Sequence, residues 1–491
     1  MKKIHLLCEG KWKPKKMISK GEEYEVREIP PPPAGWDTLR GKLRWVGPGF
    51  IVSGLEVGTG ELIVCSIAGA MYGAAFAWTI LLSAIIKVTN NYLWAKYTIA
   101  TGESPMRLFA RIRPYLWLVW IYMISVIVSD AWFFSGASSS AGTALFELTK
   151  AGSYILWGYV IAVIAIIVLA GPKIVYNVVE KIVTVTSLML TAGMIGVVIA
   201  TGSRYPEAVG EFIRGMFSFG YVPPKPGALA FMVTMFGWAF GGGQLEMTRY
   251  AIYAREKGYA MGQYVAHITG LRAKPEEIPV KGFMPSTSPE SLKNFKAWLS
   301  LLRTDMLSVY SPLALFGSLS YMFSGMTILR PLGLVPAGIK TAVEQARYFG
   351  EYVGPAGFAL FLFLAAVNLW DTYLSVLDGN SRVMAEGLWQ AIPAVRKRPQ
   401  RDWYYMWVAI FTICAFVLAH VASPAVLVQL GSTLGAAFMF ITMISVLYVT
   451  YKGLPKEYWP HPLHTVILIG GIAFYIFLTG TVIAGFFGIK L

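Results

Sequence analysis

The chain has 491 residues, 56% of them hydrophobic and only 14% charged, with a formal net charge of +15. So little charge on so long a chain excludes an ordinary soluble globular protein. Three scattered cysteines, Cys8, Cys65 and Cys414, exclude a disulfide framework and a cysteine metal cluster.

Residues 1–44 are polar and basic, with prolines at 30–33 and no apolar core. They read as a cytoplasmic extension and not as a signal peptide, because no apolar stretch follows the lysine cluster before Trp45. Apolar runs long enough to cross a bilayer follow at about 45–70, 72–100, 115–142, 154–172, 176–200, 228–253, 305–328, 355–388, 403–422, 424–450 and 463–488. The expectation is an all-α integral membrane protein of about eleven spans. With the N-terminus inside, and with residues near the cytoplasmic ends of spans counted there, about 32 of the 42 Lys and Arg residues fall on the cytoplasmic side and about 8 outside; Lys87 and Arg249 are the remaining two, within spans. This asymmetry predicts a cytoplasmic N-terminus and an external C-terminus in the cell's inner (plasma) membrane. It also assigns the positive charge to cytoplasmic loops and anionic lipid, and not to nucleic acid.

Two spans are broken. In the first, Val57-Gly58-Thr59-Gly60-Glu61 puts two glycines and a carboxylate near mid-membrane. Glycine costs about 1 kcal/mol in a helix interior, and a buried acid about 2.5–3.5 kcal/mol on the insertion scale. Such a stretch is tolerated where it lines a protected cavity. Phe240-Gly241-Gly242-Gly243-Gln244-Leu245-Glu246 repeats the pattern in the sixth span. Glycine-broken spans at corresponding places in two halves point to a secondary transporter with a midplane site. The halves are expected at 45–200 (spans one to five) and 201–450 (spans six to ten), in a five-plus-five inverted repeat. Residues 254–303 form a cytoplasmic loop or short surface helix, and 451–491 an extra eleventh span.

The first span resembles that of the Nramp family (natural resistance-associated macrophage proteins). Trp45-Val46-Gly47-Pro48-Gly49-Phe50, the break at Gly58–Glu61 and Ala68-Gly69-Ala70-Met71-Tyr72-Gly73 match, without a gap, a family pattern of Gly-Pro, then Asp-Pro-Gly-Asn, then Ala-Gly-Ala-x-Tyr-Gly. Thr101-Gly102, Asp130 before Gly136-Ala137, Glu180 and Arg255-Glu256-Lys257-Gly258-Tyr259 are further echoes. The resemblance implies the inverted-repeat transporter fold, proton-coupled uptake of divalent transition metals, and Asp130 as a proton-path acid. The departures fall on the metal ligands. The family's ligating Asp is Gly58 and its Asn is Glu61. Its Met-Pro-His is Gly241-Gly242-Gly243, its second His is Thr248, and the Glu three residues beyond Asp130 is Phe133. Without a thioether, selectivity for Mn, Fe or Cd has no source among these residues.

The expected function is therefore ion- or proton-coupled transport of a cation, either a harder divalent ion or a small organic cation. The alternatives are a neutral or zwitterionic organic solute on the same fold, and a non-transporting receptor or regulator. The substrate site is expected from Gly58, Thr59, Gly60, Glu61, Gly241, Gly242, Gly243 and Gln244, and the coupling path from Glu61, Asp130, Glu246 and Asp371, with Glu61 the candidate metal ligand. Each has a plainer reading. Glu61 could cap the free N–H groups of its own half-helix, and Gly241–Gly243 could serve close helix packing. Glu246 could pair with Arg249 one turn on, and Lys87 could snorkel or pair with an acid. Asp371 and Asp378 share a helix face with Asn368 and Ser375, and Glu56 sits on the inner half-helix. No phosphate loop or nucleophile–base–acid set is present, so neither an enzyme nor a resident cofactor is expected; the small species implied are the transported cation and a coupling proton or sodium.

Overall fold

The computed structural model describes residues 24–112, 116–171, 175–276 and 281–487. The first span is two helices joined by a distorted one. α1 (Pro48–Val57) begins on a proline and stops at Gly58, which leaves helical geometry at φ −79°, ψ −109°. A π-helical turn, Thr59–Cys65, follows and passes into α2 (Ser66–Tyr72). π-turns widen a helix locally and are found mostly at functional sites.

The longer helices that follow are α3 (Ala77–Thr101), α4 (Trp117–Thr149), α5 (Tyr154–Ala170), α6 (Val175–Arg204) and α7 (Pro206–Met216), the last bent 112° from α6. The sixth span is again broken, between α8 (Ala228–Trp238) and α9 (Gln244–Glu256). Gly241, at φ +96°, reverses the chain between them, a conformation in which glycine alone avoids a Cβ penalty.

The segment expected as a loop is more ordered than its composition suggests. α10 (Pro289–Asp305) is capped by Ser288 and runs through a π-turn, Met306–Tyr310, into α11 (Ser311–Ser324). Strand β2 (Met284–Pro285), just ahead of it, pairs in parallel with β1 (Val26–Arg27) of the N-terminal extension. Trp298 also donates to the Pro30 carbonyl at 2.8 Å, so the polyproline run lies across α10. These segments look like a loop in sequence because each depends on a partner more than 200 residues away.

The chain closes with α12 (Arg347–Ala391), kinked at Gly354 beside Pro355, then α13 (Gln400–Leu418), α14 (Pro424–Ala437), α15 (Met439–Gly453) and α16 (Pro462–Phe486). Every apolar run expected as a span coincides with helix. Among the described residues, however, seven helices are long and apolar enough to cross a membrane, or eight if the α6–α7 pair counts as one. α5 and α8 are shorter apolar helices. Val466, Ile469, Ile476 and Phe477 of α16 are exposed on the molecule's outer surface, as expected of side chains facing lipid.

Candidate substrate site between two broken helices

The two breaks meet. Glu61, fully buried, extends from the π-turn of the first span, and its Oε1 accepts from the Gly241 N–H at 3.3 Å and the Ser318 hydroxyl at 3.2 Å. Ser318 in turn accepts from the Phe240 N–H at 3.0 Å. The carboxylate therefore serves N–H groups of the other break, and not only its own half-helix. Lys87, from the middle of α3, reaches the same place from the opposite side. It neither snorkels nor depends on an acid alone: its Nζ donates to the carbonyls of Gly237 (2.9 Å), Ala239 (3.3 Å) and Gly241 (2.8 Å). The Gly241 peptide units are gripped by opposite charges, N–H by Glu61 and C=O by Lys87.

Between the breaks lies a cavity of ≈ 30 Å³, lined by Thr59, Gly60, Glu61, Asp130, Phe133, Trp238, Gly242, Gly243, Arg249 and Val376. About one water or bare ion fits such a volume. Of the expected site residues, the structure thus brings together Thr59, Gly60, Glu61, Asp130, Gly242 and Gly243. Asp130, on α4, accepts from Ser129 Oγ and Asn380 Nδ2, each at 2.8 Å. The side chains of Gln244, Glu246 and Glu56 lie outside the described residues. Asp371 is buried on α12, but that helix meets the cavity through Val376.

Arg249 also belongs to the cavity, a place the sequence did not single out for it. It is 4% exposed, lines the cavity, and its Nε and Nη1 have no hydrogen-bond partner among the described residues. A guanidinium in this position is costly unless an anion answers it. Its place within an apolar span was the available signal.

The glycines are crowded as well as bent. A Cβ on Gly58 would fall 1.7 Å from Thr372 Oγ1, one on Gly60 2.5 Å from the Trp238 carbonyl, and one on Gly243 3.0 Å from Gly435 Cα. The room an acidic side chain at position 58 would need is filled by Thr372, itself held to the Asn368 carbonyl at 2.9 Å. Thr248 bonds the Tyr122 hydroxyl at 2.7 Å. Among the described residues no group of three or more His, Cys, Asp or Glu could hold a metal ion.

Two further clusters close the end of the bundle that carries the N-terminal segment. Asp305 accepts from the Gly47 and Gly49 N–H groups at 2.9 and 2.7 Å and from the Tyr250 hydroxyl at 2.7 Å. Asp378 takes both oxygens' bonds from Arg382 Nε at 3.0 Å, with Tyr404 at 2.7 Å, so it belongs to an ion pair and not to the cavity. Arg382 also reaches Glu256 at 3.3 Å, and Arg255 pairs with Glu386. Glu256 also pairs with His267 at 3.1 Å. The hydrogen bond to Glu256 raises the His267 pKa above its ordinary value.

Two broken helices facing each other across a charged cavity are the arrangement described for the midplane site of membrane secondary transporters, and solved structures of transporters share the fold. The crystal structure of the Eremococcus coleocola manganese transporter in complex with an aromatic bis-isothiourea substituted compound superposes with a TM-score of 0.64 at 13% identity, covering 96% of this chain and 92% of that one. MhsT in complex with L-phenylalanine gives 0.52 at 15% identity over 89% and 97%. Mhp1, a nucleobase-cation-symport-1 family transporter in a closed conformation, gives 0.50 at 14% over 89% and 92%. At these identities the likeness establishes the fold alone. Residues 49–256 match the family model described as natural resistance-associated macrophage protein-like; over this stretch the chain is Nramp-like, as its first span suggested. No curated protein matches the chain.

Proposed function

We propose that the protein is an alternating-access secondary transporter that moves a small cation through the cavity between its breaks, coupled to an ion or proton gradient. The observation carrying this reading is that Glu61 and Asp130, 69 residues apart in sequence, line one ≈ 30 Å³ cavity. Two carboxylates against the Arg249 guanidinium leave room and charge for one positive centre, which favours a monovalent or small organic cation over the family's divalent metals. No thioether, thiol or imidazole is among the residues lining the cavity, so the lining itself gives no preference for soft ions. The Lys/Arg asymmetry supports a cytoplasmic N-terminus, and a reporter fused after Leu491 should then report the outside; a cytoplasmic signal there would break the inverted-repeat topology.

The test is a thermal-shift screen of the purified full-length protein against Mg, Mn, Cd, small amines and amino acids, followed by uptake into proteoliposomes. A ligand that binds the folded state raises stability by RT ln(1 + [L]/Kd). Mn and Cd are expected to give no saturable response at micromolar concentration. A micromolar Cd response abolished by Glu61→Gln would show instead that the family's activity survives on new ligands. Arg249 favours a second reading, a zwitterionic solute whose carboxylate meets the guanidinium while its ammonium meets Glu61 or Asp130; it requires the ≈ 30 Å³ cavity to widen on binding. Stabilisation by an amino acid but not by the matching amine selects it. A folded protein with neither binding nor uptake would leave the receptor or regulator class.

A further inference from the structure

We propose that Lys87 is a resident cation: its ammonium, carried in on α3, fills the carbonyl cage of the second break that a free alkali-metal ion would otherwise fill. Three observations converge on it. The last carbonyls of a helix lack intrahelical partners and form the negative end of its dipole, and α8 ends at Trp238, so Gly237 O and Ala239 O are such groups. Gly241, at φ +96°, turns a third carbonyl onto the same point. Lys87 Nζ stands 2.9, 3.3 and 2.8 Å from these three oxygens with no solvent exposure, and an ammonium has three N–H donors to offer them.

Unwound carbonyls and half-helix C-terminal ends are where fold relatives of this kind hold a coupling cation. A lysine is an expensive side chain at this depth, and simple helix packing does not call for one. Its length and charge place a cation where the break needs it. The consequence is that this break presents no vacant alkali-ion site, so a gradient that drives the protein must act elsewhere, on the Glu61–Asp130 cavity. This step rests on the transport reading only for that consequence; the cage and its occupant do not.

The experiment is a melting curve of the full-length protein, wild type and Lys87→Ala, titrated with ammonium, methylammonium, sodium and potassium against choline at constant ionic strength. Any response shared with wild type belongs to the carboxylate cavity. Lys87→Ala should melt lower and gain an additional saturable stabilisation by one or more of the small cations, half-complete in the millimolar range and recovering most of the loss, with none from choline. Lys87→Met, which refills the space without charge, should melt low and gain nothing. Equal responses in wild type and Lys87→Ala, or none in either, would overturn the proposal. If Lys87→Ala gives no folded protein, Lys87→Ser leaves the cage equally open with a small polar side chain and should gain a response of the same kind; its absence there overturns the proposal equally. Failed uptake with successful rescue would remove the transport reading alone, and uptake without rescue would remove this one alone.

Discussion

Glu61→Gln is expected to lower affinity for the stabilising ligand by roughly 10- to 100-fold, the equivalent of one charge-assisted hydrogen bond at about 1.5–3 kcal/mol. The fold should survive. Oε1 accepts from the Gly241 N–H and from Ser318, and an amide oxygen can accept the same bonds. Glu56→Gln, on α1, should change much less. The measurement is ligand-induced stabilisation or uptake for wild type and both variants. Unchanged affinity in Glu61→Gln would reduce Glu61 to a clasp between the breaks and pass the binding role to Asp130.

Restoring the family's acid should do the reverse of restoring its activity. Gly58→Asp places a Cβ 1.7 Å from Thr372 Oγ1 and 2.6 Å from Thr372 Cβ, so either the first span or α12 must move. Overpacking of this kind costs about 1–3 kcal/mol, and a buried charge adds to it; the folded yield should fall sharply, with no Mn or Cd binding gained. Thr372→Ala removes the hydroxyl and the methyl that stand in the way. The double variant should therefore recover folding beyond the sum of the single effects, as coupled neighbours do. Comparing yield and melting temperature across the four proteins decides the matter: additive losses would mean that Gly58 is kept for backbone freedom and not for the space occupied by Thr372.

Much of this was legible in the sequence where the signal is local. Glycines beside a carboxylate in an apolar run announce a break, and both breaks lie where that pattern stands. Asp130 joined them because a matched motif assigned it. What stayed hidden depends on partners without a sequence signature. Lys87 has no acid within a helical turn, and its acceptors are backbone carbonyls 150 and more residues away. Gly58 reads as a lost ligand until Thr372 is seen beside it. Arg249 suggested a pairing along its own helix because only near neighbours can be read from a string, whereas its place at the cavity comes from the packing of five helices. The helical order of α10 and the β1–β2 pairing were hidden for the same reason.

The Asp305 clasp bears on how the two half-helices can separate. One carboxylate holds the first two free amides at the start of α1 and the Tyr250 hydroxyl of α9, which are the two half-helices on that side of the cavity. Neither half-helix can swing away without stripping bonds from the same buried charge, and releasing one weakens the geometry that holds the other. Intermediate degrees of opening are therefore disfavoured relative to both ends. Departure from the clasped arrangement should be a single activated event with exponential dwell times, in which α1 and α9 let go together.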